Sequence, residues 1–506
     1  MNKALKWLIF FFIGINLIFS AWSYLHQDIF YQTDNARDFL IMDEIADKKM
    51  VLIGPRADKK GVFHGILWHY LNMPAYIIGK GNPIATGWFW FLLTVGLISS
   101  IYFVVKKLFD ETSALIALVL SSAYLVPYVQ GFYHGSGALL SLPLYFYFFV
   151  KYFQTKQWKF LIGHLFMLGA IVQFQLAIGG PLLILSTLAS LFVIIKNKKF
   201  LHLLCFGTLL IFASSFLLID IRHDFLQTKS IIKYVQGERD QFPMPFSESV
   251  KNRIENITTR GFNLFRNSSS DLNNMNLLIF ALFVFSFVVI LKSKIKYRHI
   301  YIIFLYFHIG YYFLTLIHRG LMLELWWFPM TLLPLMMFST FHKFVPKHLY
   351  FVLLGILLVL MTSQNISHAN DLSKEIGNNT RSWKFHLNNM KQIFSDAPEE
   401  SGIFIYSPDI YGYQDKYALS YVSRVSEKKI YKFEKKPTTY ILMESPPKER
   451  IDLVPTWWIE NKLHIKSQPE EIIKLSGGYE IRKYELIKED LEIPSEITTA
   501  DWLYFR

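Results

Sequence analysis

The fold is decided by residues 88–128, which read WFWFLLTVGLISSIYFVVKKLFDETSALIALVLSSAYLVPY. Two apolar runs, 88–105 and 114–128, are separated by a short polar segment that begins with Lys106 and Lys107. Because about 20 apolar residues cross the hydrocarbon core of a bilayer, each run predicts a membrane helix with loose ends. Similar runs recur up to residue 361, so we predict a mainly α, polytopic bundle of transmembrane helices.

About eleven runs are candidates for membrane helices. They are residues 5–22, 88–105, 114–128, 135–150, 160–174, 176–195, 200–219, 277–291, 300–316, 321–338 and 349–361. The first run follows Lys3 and Lys6 as in a signal peptide, but its length and the runs after it favour an uncleaved anchor. Residues 160–195 allow two interpretations: two short helices that turn at Gly179-Gly180-Pro181, or one span followed by a re-entrant piece.

The composition excludes several classes of protein. Of 506 residues, 52% are apolar, 17% are aromatic and only 18% are charged, which excludes a disordered chain, a coiled coil and a purely soluble enzyme. The 52 Lys and Arg exceed the 39 Asp and Glu by 13, and basic loops account for this excess without a nucleic-acid partner. The single cysteine, Cys205, excludes an intramolecular disulfide.

Basic residues recur in every second short loop, as expected for loops on the cytoplasmic side. These loops carry Lys106 and Lys107; Lys151, Lys156 and Lys159; Lys196, Lys198 and Lys199; Lys292, Lys294, Lys296 and Arg298; and Lys343 and Lys347. The short loops between them have no Lys or Arg except Arg319. We therefore predict a cytoplasmic N-terminus and three long extracytoplasmic segments, residues 23–87, 220–276 and 362–506.

The domain organisation follows from this topology. We expect residues 1–361 to form a transmembrane domain that includes the two long outer loops, and residues 362–506 to form a soluble extracytoplasmic domain. Strand-like runs at Gly402–Tyr406, 439–443 and 479–486 predict a small α/β or α+β fold for this tail. The tail contains no catalytic motif that we recognise.

The first long loop holds the best candidate for a catalytic group. Asp34 follows the first span by about a dozen residues, and Arg37 and Asp38 lie three and four residues further on, on the same face of a helix. A carboxylate here could act as a general base on an acceptor hydroxyl or amine, or could hold a divalent metal ion. The alternative is an Arg–carboxylate pair that only fixes the loop.

The same loop supplies three further candidates for a substrate pocket, His64, His69 and Tyr70. A metal pair formed by the two histidines is one interpretation, although a spacing of five is poor for one helical face. The other interpretation is a pair of interfacial aromatic residues with a wet edge. Asn82-Pro83 predicts a turn just before the second span.

A second polar cluster follows the seventh span at Asp220-Ile221-Arg222-His223-Asp224. Four polar residues at a membrane face are costly unless they are paired or used. Arg222 and His223 could bind a phosphate, with Asp224 in the substrate pocket. The alternative is an ion pair with Asp220 or Asp224.

The third cluster is His318-Arg319-Gly320, followed by Glu324 on the next helix. Arg319 is placed where a lipid phosphate would lie, and Glu324 is a further pocket candidate. The alternative for Arg319 is a side chain that snorkels to the interface as a membrane anchor.

Together these elements resemble the GT-C superfamily of membrane glycosyltransferases, in the branch of the protein O-mannosyltransferases, the aminoarabinose transferase of lipid A and uncharacterised bacterial relatives. The resemblance is carried in order by DNARD at 34–38, HGILWHYL at 64–71, GNP at 81–83, IRHDF at 221–225 and SPDIY at 407–411. Two departures are Ile66, where relatives have proline, and Asn35, where a second acidic residue often follows the catalytic aspartate.

The resemblance implies a chemical scheme at the plasma (inner) membrane. The donor would be a sugar on a polyprenyl phosphate, and an acceptor hydroxyl or amine of a protein, lipid or glycan would attack its anomeric carbon with inversion. Asp34 would be the base, and Arg222, His223, Arg319 and Arg37 would stabilise the departing phosphate. No cofactor is certain, although a divalent metal at Asp34 is an option.

Three other functions remain open from the sequence. A transporter or flippase of lipid-linked saccharides would also need many spans, but such proteins commonly show internal repeats and ionisable residues at mid-membrane. An oligosaccharide ligase would differ only in the size of its donor. A structural or sensory protein with a ligand-binding tail is the third alternative.

Overall fold

The computed structural model describes residues 3–47, 49–57, 59–236, 244–260, 280–290, 297–409, 411–446 and 454–496. The predicted basic loop at 292–296 and segments 237–243 and 261–276 of the second long loop lie outside these residues. The chain divides into two compact units. We call Met1–Ala21, Met50–Leu71 and Phe89–Ala369 the spanning unit, and Trp22–Lys49, Asn72–Trp88 and Asn370–Arg506 the tail unit.

The first part of the chain is almost entirely helical. Its helices are α1 (Lys3–Ser20), α2 (Trp22–Leu25), α3 (Thr33–Ala46), α4 (Leu67–Ile78), α5 (Pro83–Leu108), α6 (Glu111–Val129), α7 (Ser136–Thr155), α8 (Trp158–Phe174), α9 (Leu176–Lys196), α10 (Thr208–Arg222), α11 (Leu226–Gln236), α12 (Phe246–Glu255), α13 (Phe280–Ile290), α14 (Arg298–Leu314), α15 (Glu324–Trp327), α16 (Leu332–Phe338) and α17 (Lys347–Glu375). A short antiparallel hairpin of β1 (Ile53–Arg56) and β2 (Phe63–Gly65) belongs to the spanning unit.

The prediction of a polytopic helical fold is confirmed. Within the described residues, six helices are long and apolar enough to cross a membrane, and three shorter apolar helices lie at predicted runs. The predicted run 135–150 matches α7, which begins one residue later at Ser136, whereas 321–338 is divided into α15, a 3₁₀ turn and α16. The Asn82-Pro83 turn is also confirmed, because α5 begins at Pro83 and the Asn82 side chain accepts the amide of Ile84 at 3.0 Å.

Residues 160–195 form two helices, but the break lies at Gln175 and the turn predicted at Gly179-Gly180-Pro181 is wrong. Gln175 has an extended backbone (φ −152°, ψ 105°), and both glycines lie inside α9. A Cβ added at Gly179 would lie 2.5 Å from the Cα of Val172 in α8. This glycine therefore permits close approach of two helices and does not make a turn.

Buried hydrogen bonds connect the helices of the spanning unit. Asn16 of α1 donates to Ser122 of α6 at 3.2 Å, and Asn365 of α17 donates to the carbonyl of Ala123 at 3.1 Å. Tyr145 of α7 lies 2.8 Å from the hydroxyl of Ser186 of α9. Such contacts orient helices in lipid, where burial of apolar surface does not distinguish one helix face from another.

The tail unit contains a five-stranded mixed sheet, so the predicted α/β or α+β character is confirmed. Its elements after α17 are α18 (Trp383–Asp396), β3 (Gly402–Tyr406), α19 (Tyr413–Val425), β4 (Tyr431–Lys432), β5 (Thr438–Met443), α20 (Pro455–Trp458), β6 (Glu471–Lys474), β7 (Glu480–Glu485) and α21 (Lys488–Glu492). The strand order is β4-β3-β5-β7-β6, with β3 parallel to both neighbours and β7 antiparallel to both of its neighbours. All three predicted strands are present.

A buried ionic pair lies between α18 and α19. The Nδ1 atom of His386 is 2.6 Å from Oδ1 of Asp415, and its Nε2 atom is 2.8 Å from the carbonyl oxygen of Thr380. Burial lowers the pKa of His386, but the Asp415 carboxylate and the two hydrogen bonds outweigh burial and raise the pKa above its usual 6.5. The imidazolium form therefore favours the folded state.

This pair predicts a pH-dependent stability of the tail unit. Its contribution is complete below pH 6.5, the ordinary histidine pKa, and is lost as the pH rises through the higher folded-state pKa. We expect the thermal midpoint of the wild type to fall over that range and the fall to be shallower in His386→Gln. The matched control is His464→Gln, a partly exposed histidine; identical slopes for His386→Gln and wild type would contradict the assignment.

Candidate active site

Asp34 lies in the first turn of α3, the helix that follows the first span. Gln32 precedes the helix with an extended backbone, and its amide donates to the side-chain oxygen of Asn35 at 3.4 Å. Asn35 is therefore part of a capping arrangement at the start of the helix. A carboxylate in the first turn is favoured by the partial positive charge of the helix terminus.

Asp34 and Arg37 form an ion pair. The Nη2 atom of Arg37 lies 2.7 Å from Oδ1 of Asp34, and the Asp34 side chain is 36% exposed against 14% for Arg37. The Nε atom of Arg37 is buried, and none of the described residues accepts a hydrogen bond from it. The pair thus leaves the Asp34 carboxylate accessible and one guanidinium donor unused. Asp38, the third candidate on this helix, is buried.

The middle of α3 packs along α19, and both helices belong to the tail unit. The ring of Phe39 stacks on the ring of Tyr417 with centroids 5.1 Å apart, and Phe39 is completely buried. At the start of α3, the Tyr31 hydroxyl donates to the carbonyl of Gln414 at 3.2 Å. Because Tyr31 lies beside Gln414 and Phe39 beside Tyr417, the two helices run in the same direction.

The far end of α3 is held by a polar cluster around Asp43. Its carboxylate accepts from Ser420 at 2.7 Å and also from Tyr76 and Arg424. Burial, followed by the Asp43 charge, raises the pKa of Tyr76, so that hydroxyl stays a donor. Burial opposes the charge of Arg424, but Asp43 outweighs it and raises the pKa of the guanidinium.

The segment before α3 is anchored in the same unit. Asp28 is buried and accepts the hydroxyl of Ser382 at 2.6 Å and the amide of Lys384 at 3.0 Å. The amide of Tyr31 donates to the carbonyl of Arg381 at 2.7 Å. The helix that carries Asp34 is therefore fixed before its start, along its length and at its end by residues from the tail.

His64 and His69 lie in the spanning unit. His64 is in β2, and its ring centroid is 4.7 Å from that of His134, a residue that the sequence did not single out. His69 is completely buried in the first turn of α4. The Tyr70 hydroxyl donates to the carbonyl of Val51 at 3.0 Å, so Tyr70 fixes the chain that precedes the hairpin.

Arg222, His223 and Asp224 are exposed at the end of α10. The alternative of an ion pair with Asp220 is not observed, because the Asp220 carboxylate accepts the amides of Gln227 at 2.7 Å and Thr228 at 3.1 Å. Asp220 thus caps α11. Asp224 has a left-handed backbone (φ 52°), which makes the sharp turn between α10 and α11.

The turn that contains Arg319 is held by a residue that sequence reasoning missed. Arg253 of α12 is 1% exposed, and its guanidinium donates to the carbonyls of Thr315, His318 and Gly320 at 3.2, 2.7 and 3.2 Å. Arg319 itself lies over the ring of Phe246 at 5.6 Å. Glu324 begins α15, and its side chain lies outside the described part. A lysine or arginine in a basic loop carries no signal that marks it as buried.

The described residues do not fit a metal centre built from three protein ligands. No group of three or more His, Cys, Asp or Glu is placed to hold a metal ion within the part of the chain that the structure describes. Asp34 is paired with an arginine, and the neighbouring position is the amide Asn35. We therefore derive no step through a metal ion.

Among the comparisons with known proteins, only the comparison with solved structures gave matches. No family model and no curated protein matches the chain. The crystal structure of ArnT from Cupriavidus metallidurans bound to undecaprenyl phosphate matches with a TM-score of 0.59 and 11% identity over 95% of this chain and 98% of that chain. The chain therefore shares the overall fold of that structure. This result confirms the predicted polytopic helical architecture, and an identity of 11% supports the fold alone.

Two further solved structures match with lower TM-scores. They are apo ArnT from Cupriavidus metallidurans, with a TM-score of 0.46 and 10% identity over 95% of this chain and 98% of that chain, and the oligosaccharyltransferase of Archaeoglobus fulgidus with zinc and sulfate, with 0.44 and 12% over 86% and 68%.

The contacts of Asp43 predict that α19 stabilises α3. In Arg424→Met the Asp43 carboxylate loses its cationic partner but keeps Ser420 and Tyr76, and we expect the free energy of unfolding to fall by about 0.5–1.5 kcal/mol. Hydrogen exchange of the α3 amides should accelerate more than exchange of the β5 amides. The control is Lys429→Met, which removes an exposed cation 3.9 Å from Glu400 and should change little. Unchanged hydrogen exchange of the α3 amides in Arg424→Met would contradict the stabilisation of α3 by Arg424.

Arg253 predicts a second coupling, between stability and the Arg319 turn. Arg253→Met leaves the three carbonyls without their donor, so we expect a lower thermal midpoint and, if Arg319 binds phosphate, weaker binding of polyprenyl phosphate. The control is Lys251→Met, an exposed residue of the same helix. A lower midpoint with unchanged binding would exclude the turn from the phosphate site.

Proposed function

We propose that this protein is an integral-membrane glycosyltransferase that moves a sugar from a polyprenyl-phosphate donor to an acceptor hydroxyl or amine on the extracytoplasmic face. The observation that carries the proposal is the Asp34–Arg37 pair, an accessible carboxylate held by a cation at the start of a tightly mounted helix in a GT-C fold. The matched ArnT structure is described as bound to undecaprenyl phosphate, which supports a lipid-phosphate donor.

The proposed reaction is one displacement. The acceptor oxygen or nitrogen forms a bond to the anomeric carbon, and the bond from that carbon to the phosphate oxygen breaks with its electron pair leaving on the phosphate. The acceptor proton passes to the Asp34 carboxylate, as general-base catalysis requires. Attack opposite the leaving group inverts the anomeric configuration.

Arg37 supports this scheme in two ways. Its Nη2 atom holds the Asp34 carboxylate in one orientation, which positions that carboxylate toward an incoming acceptor. Its Nε atom is a buried donor without an acceptor among the described residues, and such a donor is costly unless a substrate oxygen completes it. A phosphate or acceptor oxygen is the kind of group that would do so.

The remaining candidates have proposed roles in the spanning unit. Arg222 and His223 are exposed at the end of α10, and Arg319 lies on a turn that Arg253 holds, so each could stabilise negative charge on the leaving phosphate. His64, His69, Tyr70, Asp38, Asp224 and Glu324 remain proposed substrate-pocket residues. We propose the plasma membrane as the location, with the N-terminus cytoplasmic, on the evidence of the basic loops.

The role of Asp34 predicts a selective loss of chemistry. In Asp34→Asn the side chain keeps its size but cannot accept the proton, so we expect the rate of sugar transfer to fall by about 10²–10⁴-fold. Binding of the polyprenyl-phosphate donor should change little. The measurement is initial transfer rate in proteoliposomes, together with donor binding to the same preparations.

The matched control is Asp47→Asn, which removes an exposed carboxylate at the opposite end of α3. It should retain wild-type transfer. If Asp34→Asn and Asp47→Asn transfer sugar equally well, then Asp34 is only the structural partner of Arg37 and another base must be found.

A further inference from the structure

The helix α11 presents a polar side to the protein and an apolar side to its surroundings. Gln227 is only 5% exposed, whereas Ile231, Ile232 and Val235 are 41, 48 and 60% exposed. In a water-soluble protein the arrangement would be the reverse, because apolar side chains would cover the core.

The helical geometry separates α11 into three faces. With about 100° between successive residues, Ile231, Ile232 and Val235 fall within a sector of about 100°. Gln227, Ser230 and Tyr234 fall within about 60° on the protein side. Lys229 and Lys233 lie on the third face, about 40° apart, beside the apolar sector and together with Leu226, which is 45% exposed. Thr228 lies within the apolar sector, and its hydroxyl donates to Asp220.

The protein side of α11 is held by polar contacts within the spanning unit. The side-chain amide of Gln227 donates from Nε2 to the carbonyl of Phe63 in β2 at 3.3 Å, and the Tyr234 hydroxyl is 2.8 Å from Nδ1 of His318. Lys59 lies over the ring of Tyr234 at 5.2 Å. Helix α11 is therefore held in place by these contacts, and the exposed apolar stripe is its outward face.

The position of α11 follows from its connection to α10. Phe200–Arg222 is a candidate membrane span, and only 11% of its most apolar window is buried inside the structure. The chain turns sharply after Arg222, through left-handed backbones at Asp224 and Phe225, and Asp220 caps the new helix. A helix that leaves a lipid-facing span by such a turn starts at the membrane face.

We propose that α11 lies in the interface of the bilayer, with Ile231, Ile232 and Val235 in the acyl-chain boundary and Lys229 and Lys233 at anionic lipid phosphates. A fixed helix with an apolar stripe flanked by lysines has the pattern of an interfacial helix. Lysines at this depth are attracted to anionic head groups. The stripe is thereby covered by lipid, which removes the cost of exposing it to water.

This placement sets the depth of two other elements. Because α11 contacts β2 through Gln227 and the His318 turn through Tyr234, both are held at the level of lipid phosphates. The inference rests on the membrane fold and these contacts, and it stands whether or not the proposed transfer reaction is correct.

The test uses the full-length protein in lipid nanodiscs. In a Cys205→Ala background, a nitroxide is attached to Ile232→Cys, Val235→Cys or, as the matched control, Lys229→Cys. Collision with oxygen should exceed collision with a water-soluble nickel complex at 232 and 235, and the order should reverse at 229. Nickel access at 232 and 235 would show a water-facing helix, and shielding from both reagents would show a protein segment or second copy on the stripe; either result overturns the proposal.

A second measurement addresses the lysines. The thermal midpoint of the wild type should be higher in nanodiscs that contain phosphatidylglycerol than in phosphatidylcholine alone. In Lys229→Gln/Lys233→Gln this shift should shrink, whereas Lys474→Gln/Lys488→Gln, which removes two exposed charges of the tail unit, should keep it. Equal shifts in both double variants would contradict the lipid-phosphate contacts.

Discussion

The position of the proposed catalytic base depends on the packing of α3 against α19. A helix of 14 residues has little stability by itself in water, because nucleation is unfavourable and few hydrogen bonds repay it. Here Phe39 is buried against Tyr417 and the Asp43 carboxylate is held by Ser420, Tyr76 and Arg424. The helix that presents Asp34 thus obtains its rigidity largely from residues of α19, of which Arg424 lies 381 positions after Asp43. Removing the tail would therefore also remove this support of the proposed base.

Charge is handled differently in the two units. In the tail unit, cations are paired with anions, as in the partly exposed Arg424 with Asp43 and the buried His386 with Asp415. In the spanning unit, Arg253 is buried with neutral carbonyl and hydroxyl partners. A cation solvated by carbonyl dipoles keeps its positive potential, whereas an ion pair cancels it. A cation surrounded by neutral carbonyls is therefore better suited to a site that binds a phosphate than a cation in an ion pair.

The sequence predicted the features that depend on local pattern. Apolar runs identified the helices of the spanning unit, alternating runs identified β3, β5 and β7, and the Asn82-Pro83 turn was correctly placed. Spacing also predicted that Arg37 would reach Asp34. The runs 160–174 and 176–195 already met at Gln175, but the turn itself was expected at Gly179 because glycine looks like a turn residue in sequence. The actual requirement for that glycine, close contact with Val172, depends on tertiary packing.

Other features could not be found without the fold. The partnership of Asp43 with Arg424 joins residues 381 positions apart, and neither has a distinctive neighbourhood in sequence. Arg253 resembles any other cation of a basic loop until its three carbonyl acceptors are seen. Likewise, the exposed stripe of α11 is recognisable as unusual only because its polar side faces the protein.

The most direct test of the central claim is to supply the purified wild-type protein in proteoliposomes with a panel of radiolabelled polyprenyl-phosphate sugars and membrane acceptors. The account predicts that label from one donor moves to an acceptor in covalent linkage with inverted anomeric configuration, leaving free polyprenyl phosphate. Movement of an intact lipid-linked sugar across the bilayer, with no glycosidic bond broken for any donor, would contradict it and identify a flippase instead.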